Sequence, residues 1–157
     1  MLNRMTRSAV DAEDKLFATL DPTSRRLRFP EEREVILTDT VGFIRQLPKD
    51  LVHAFRSTLE EVAEADLLVH VIDSASPQIQ THIEEVDQTL SALGVEDTPT
   101  IRVLNKIDAV PEEGWLALKT AHDGMLVSAH KGDGLGALMI QIERHLFRGS
   151  ARGRLES

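Results

Sequence analysis

The stretch Thr100-Ile101-Arg102-Val103-Leu104-Asn105-Lys106-Ile107-Asp108 decides how the whole chain is read: an apolar, partly β-branched run passes directly into Asn-Lys-x-Asp. Such a run suits a strand buried in a parallel sheet. A polar cluster at its end then lies beyond the carboxyl edge, where open α/β sheets bind ligands. There the carboxylate of Asp108 can accept from both N1–H and the exocyclic amine of guanine, a pair of donors that adenine does not present. A site built for that pair rejects the wrong base because its polar groups would be left unmet.

A four-residue string of this kind recurs by chance, so its surroundings decide its weight. Asp39-Thr40-Val41-Gly42 ends a second apolar run, Val35-Ile36-Leu37, and Ser128-Ala129-His130 ends a third, Met125-Leu126-Val127. Each polar cluster therefore falls at one edge of the expected sheet. In that setting Asp39 is expected to hold a magnesium-bound water, the Gly42 amide to face a γ-phosphate, and the backbone of Ser128 and Ala129 to contact the base.

Around these runs strand-like and helix-like segments alternate, the pattern of an α/β domain with a mostly parallel sheet and flanking helices. After a short helical piece and a polar loop, Arg25-Arg26-Leu27-Arg28-Phe29 alternates as an exposed strand and pairs with residues 35–38 as a hairpin. Residues 50–66 place Leu51, Phe55, Leu59 and Val62 at helical spacing, with Asp50 as N-cap. Ser76 and Pro77 open a second helix that Gly94 stops, and Gly132-Asp133-Gly134 precedes a last one ending near Arg144, His145 and Arg148. Residues 67–73, 100–104 and 125–127 supply the buried strands.

The chain has 157 residues, 41% of them hydrophobic, enough for one domain with its own core. We expect that domain to span residues 1–148, followed by a flexible basic tail over 149–157. No stretch approaches the roughly 18 apolar residues a membrane helix needs, and no signal-peptide core stands at the N-terminus, so a cytoplasmic protein is expected. With no cysteine there is no disulfide, thiolate zinc site or cysteine nucleophile. A net charge of -8 argues against general nucleic-acid binding, which rests on many cationic phosphate contacts. Arg25, Arg26 and Arg28 and the tail read first as solvated basic stretches.

The histidines show no metal-binding spacing such as H-E-x-x-H, and His70 reads as a core histidine within a strand. Glu60, Glu61, Glu64 and Asp66 read as a solvated helix face and Trp115 as packing. Ser57 and Ser74 lack a nucleophile-elbow context.

Taken together, residues 14–23 (Asp-Lys-Leu-Phe-Ala-Thr-Leu-Asp-Pro-Thr), Asp39-Thr40-Val41-Gly42-Phe43-Ile44 and Asn105-Lys106-Ile107-Asp108 resemble the HflX family of translation-associated GTPases, in the Obg-HflX branch. The resemblance runs from about Leu2 to the end of the last helix but covers only part of a family member. It implies a P-loop NTPase-type G domain that hydrolyses GTP with Mg2+ and associates with the large ribosomal subunit. By motif, Phe17, Ala18, Thr19, Leu20 and Asp21 form switch I, with the Thr19 hydroxyl on magnesium. Asp39, Thr40, Val41 and Gly42 belong to switch II, with Asp39 reaching the metal through water. Asn105, Lys106, Ile107 and Asp108 hold the base, and Ser128, Ala129 and His130 buttress it.

Two departures qualify that implication. Phe43 stands where other GTPases place a glutamine that orients the attacking water; an aromatic ring cannot, so slow intrinsic turnover is expected and the catalytic residue is left unassigned. No G-x-x-x-x-G-K-[ST] string occurs, and Leu2 to Ser8 look like the helix that follows such a loop. The first strand and the phosphate loop (P-loop) are accordingly expected to be missing. Hydrogen bonds to charged phosphate contribute about 1.5–3 kcal/mol each, so losing two weakens binding by about 3–6 kcal/mol. The alternative reading is a non-hydrolysing module that contacts the ribosome or a protein partner.

Overall fold

The computed structural model describes residues 1, 4–5, 23–29, 33–39 and 56–147. Phe17, Ala18, Thr19, Leu20, Asp21, Thr40, Val41, Gly42, Phe43, the start of the expected first helix at residues 50–55, and the tail at 149–157 lie outside the described residues. The chain forms two compact units, Met1–Ala65 with Glu85–Glu96, and Asp66–Glu84 with Asp97–Ser157.

In the first unit, strands β1 (Thr23–Arg28) and β2 (Glu34–Asp39) pair antiparallel, with Leu27 opposite Val35 and Arg28 opposite Glu34. The two-residue alternation read from sequence is real: Leu27 and Phe29 are buried while Ser24, Arg26 and Arg28 are exposed. Glu34 takes both Arg28, at 2.9 Å, and Arg26, at 3.4 Å, so part of the basic stretch is paired within the hairpin. Such exposed pairs contribute about 0–1 kcal/mol each, so the hairpin depends on its apolar face. Among the described residues, helix α1 (Arg56–Ala63) ends before the expected Asp66: the Ala65 amide turns back to Val62 at 3.4 Å, a tightened last turn.

The second unit holds a three-stranded parallel sheet in the order β3–β4–β5, formed by β3 (Leu68–Asp73), β4 (Thr100–Asn105) and β5 (Met125–Leu126). Asp73 is registered with Asn105, and Leu104 with Leu126. Val103, Leu104 and Val127 are fully buried, as an apolar run in a central strand requires. Strand β5 is one residue shorter than expected, although the Val127 amide still donates to Leu104 at 2.9 Å.

Helix α2 (Ile79–Ala92) begins two residues after the expected first helical position at Pro77, which lies in a turn, and ends at the expected glycine. Ser76 Oγ accepts from the Gln78 amide at 3.2 Å, a serine cap ahead of the first regular turn. At the other end Gly94 has φ 70°; the Val95 amide donates to Leu90 and the Gly94 amide to Ser91, which is a Schellman stop.

Helix α3 (Trp115–His122) was not singled out in the sequence, since Trp-Leu-Ala-Leu-Lys-Thr-Ala-His has little amphipathic period. Trp115 is half-buried there and donates from Nε1 to the Val110 carbonyl at 2.9 Å. Helix α4 (Leu135–Phe147) follows the glycine-rich turn as expected, with Leu138 and Ile142 buried. Ile72, Ile83 and Leu104 make a core cluster against which Ile79, Leu118 and Leu126 pack.

Candidate functional site

Strand β4 delivers Asn105 at its carboxyl end, and the chain then reverses sharply. Lys106 takes φ 63° and ψ 31°, the left-handed region, and Ile107–Ala109 form one 3-10 turn. A side chain in that region costs about 1–3 kcal/mol and persists only where its surroundings hold it. They do: buried Ile107 donates its amide to the Val127 carbonyl at 3.2 Å, and the Ala109 amide returns to Lys106 at 2.9 Å.

The loop after β5 meets this turn from the other side. Asn105 Oδ1 accepts from the Ala129 amide at 3.0 Å, and Ser128 Oγ donates to Asp108 Oδ1 at 2.5 Å. Ser128 is fully buried, and its oxygen also accepts from the Lys131 amide at 3.0 Å. Its amide and carbonyl are taken by Asp133 and Gly132. Each of its polar groups is thus engaged, which makes the hydroxyl a fixed donor rather than a free rotor.

The consequence falls on Asp108. The Ser128 hydroxyl is the main cause holding its carboxyl below the usual carboxylate range, with its own backbone and the charges of His130 and Lys131 acting the same way and lost hydration opposing. Asp108 itself is exposed. It is therefore an ionised acceptor, oriented from behind and open to a ligand in front.

Of the residues expected here, Asn105, Lys106, Ile107, Asp108, Ser128 and Ala129 come together in one place. His130 is exposed and reaches Asp108 through its charge. Asp39 closes strand β2 in the first unit. Sequence reasoning missed Asp73, whose Oδ2 meets Lys106 Nζ at 3.0 Å, and the backbone of Lys131 and Asp133 that fixes Ser128. Asp73 could have been noticed, since it too is a polar residue ending an apolar run.

The described residues fit a guanine base: an ionised, oriented, exposed carboxylate stands beside an asparagine whose oxygen is already held. For magnesium, no group of three His, Cys, Asp or Glu side chains among the described residues is placed to hold a metal.

Removing the Ser128 hydroxyl tests the arrangement. In Ser128→Ala the Lys131 amide loses its acceptor in a part-buried setting, so a stability loss of about 1–2 kcal/mol is expected by urea denaturation. The Asp108 carboxyl should also titrate higher, followed by NMR of its carboxyl carbon. The sign follows from linkage: a depressed folded pKa stabilises above the unfolded value, about 3.9, and that contribution vanishes as pH falls through the folded pKa. The variant should therefore lose less stability than the parent on acidification across that window.

Residues 1–106 match the family described as 50S ribosome-binding GTPase. The chain is similar to GTPase HflX of Caldanaerobacter subterraneus, with 52% identity over 148 residues, covering 94% of this chain and 34% of that protein. It is 46% identical to GTPase HflX of Magnetococcus marinus over 97% of this chain and 35% of that one. With GTPase HflX of Escherichia coli it shares 49% over 71% of this chain and 26% of that one. The chain spans about a third of the length of these first two relatives. Among solved structures, Era of Aquifex aeolicus bound to GDP·AlF4− superposes with a TM-score of 0.72 at 25% identity, over 92% of this chain and 51% of that one.

Proposed function

The chain belongs to the family of 50S ribosome-binding GTPases, with HflX proteins as its relatives, and from that premise we propose that its second unit reads the guanine of GTP and GDP. Its fold is the α/β fold of the P-loop GTPases. The observation that carries the reading is the Asp108 carboxylate, ionised and aimed by a fully buried Ser128 beyond the carboxyl ends of parallel strands.

In this reading Asp108 accepts from both guanine donors, Asn105 and the Ala129 backbone frame the base, Lys106 and Ile107 set the turn, and His130 belongs to the loop that buttresses the site. Phe17, Ala18, Thr19, Leu20 and Asp21 serve as switch I, and Asp39, Thr40, Val41 and Gly42 as switch II. Thr19 would bind magnesium directly and Asp39 through water. A magnesium ion held there with GTP would supply positive charge to offset the negative charge that develops on the phosphates. Residues 1–148 would contribute to one G domain of a cytoplasmic protein whose partner is the large ribosomal subunit. No helix among the described residues is long and apolar enough to cross a membrane.

The test is a titration of the chain with fluorescent GDP and fluorescent ADP under identical salt and magnesium. We expect GDP to bind at least about a hundred-fold tighter, because a site built for two donors leaves charged and polar groups unmet with adenine. Equal affinities would remove the guanine-reading assignment.

A further inference from the structure

Beyond the residues assigned above, we infer that Asp73 is a positioning residue of the base site and acts through Lys106; the inference rests on the guanine-reading proposal. Asp73 ends strand β3 directly across from Asn105 in the parallel register. The pairing continues one residue further, where the Ser74 amide donates to the Asn105 carbonyl at 2.9 Å. Both oxygens of the Asp73 carboxylate are engaged: Oδ1 accepts from the Ala75 amide at 3.0 Å, and Oδ2 meets Lys106 Nζ at 3.0 Å. Lys106 is also the residue whose backbone stands in the left-handed region, between the two side chains proposed to read the base.

Magnitude separates positioning from plain stabilisation. The two side chains are 56% and 41% exposed, and ion pairs at that exposure add little to global stability. What the pair does supply is direction. An exposed lysine samples many rotamers, and a carboxylate already held by a backbone amide offers one fixed anchor for its ammonium. Held there, Lys106 keeps its stem and its strained turn in one arrangement, and Asn105 and Asp108 on either side keep theirs. Asp73 thus links the end of one strand to the ligand-reading end of its neighbour.

The experiment compares the full chain with Asp73→Asn, a variant that keeps a carbonyl acceptor for the Ala75 amide and removes the charge opposite Lys106. Three readouts are taken: fluorescent-GDP titration, thermal midpoint, and amide exchange at Ile107 and Val103. The expected result is GDP affinity about ten-fold weaker, equivalent to about 1.4 kcal/mol, at a midpoint within a degree or two of the parent. Exchange should quicken at Ile107 and not at Val103 in the strand core. Unchanged GDP affinity overturns the inference while leaving the guanine reading intact. A lowered midpoint with faster exchange at both amides also overturns it, because Asp73 would then be supporting the sheet. Failure of the parent to bind GDP removes the guanine reading, and the inference with it.

Discussion

Asp108→Asn is expected to weaken GDP binding by about a hundred-fold to more than ten-thousand-fold. The wild-type carboxylate offers two acceptor oxygens to two guanine donors, and each hydrogen bond to a charged group contributes about 1.5–3 kcal/mol. Asparagine offers one acceptor and one donor, so its NH2 opposes the exocyclic amine of guanine instead of receiving it. The same NH2 faces a carbonyl when the base is xanthine, so preference should move toward a xanthine nucleotide. The fold should persist, because the amide oxygen of asparagine can still accept from Ser128 Oγ in the place of Asp108 Oδ1. Competition titrations with GDP and XDP against a thermal melt measure both halves. If GDP affinity stays within a few-fold of the parent, Asp108 does not read the base.

The second large effect is on stability. Gly134→Ala is expected to cost about 2–5 kcal/mol, combining roughly 1–2 kcal/mol for a left-handed non-glycine with roughly 1–3 kcal/mol for overpacking. Gly134 has φ 76°, and a Cβ built on it would lie 2.3 Å from the Leu126 carbonyl oxygen, which is backbone of the central sheet and cannot swing aside. Gly132, two residues earlier at φ 94°, has open space where its Cβ would stand. Gly132→Ala should therefore show the conformational part alone, about 1–2 kcal/mol. Urea denaturation of the two variants checks the pair. Equal losses would show that the approach to Leu126 relaxes at little cost.

The proposed base site was the most legible part of the sequence because its determinants are local. Asn105, Lys106 and Asp108 fall within four consecutive residues that follow a largely apolar run, so one strand and one turn bring them together. Ser128 and Ala129 were legible as a strand-end cluster, although nothing in the string says that the serine is buried or that it points at Asp108. Asp73 was illegible as a partner of Lys106, since the pairing depends on which strand lies beside β4 and in what register. A polar residue ending an apolar run marks a sheet edge but does not name its neighbour.

Helix boundaries behaved in the same way. Ser76 and Gly94 marked the ends of α2 because capping is backbone chemistry within a few residues. Helix α3 was hidden: Leu116 is exposed while Leu118 packs on the core, so its apolar residues do not form a clean stripe. Trp115 reads from the sequence as packing; it is half-buried, and its indole N–H finds the Val110 carbonyl as a polar partner.

The struts between the Asn105–Asp108 turn and the Ser128–Ala129 loop are all made by the chain to itself: Asn105 to Ala129, Ile107 to Val127, and Asp108 to Ser128. This feature bears on kinetics. On the guanine-reading proposal, a base entering this seat meets a turn and a loop that the described residues already hold together, so its arrival there is governed by diffusion and orientation. Sequence changes around the seat then act mainly on how long the base stays, and residence time, more than the rate of capture, is what these few side chains control.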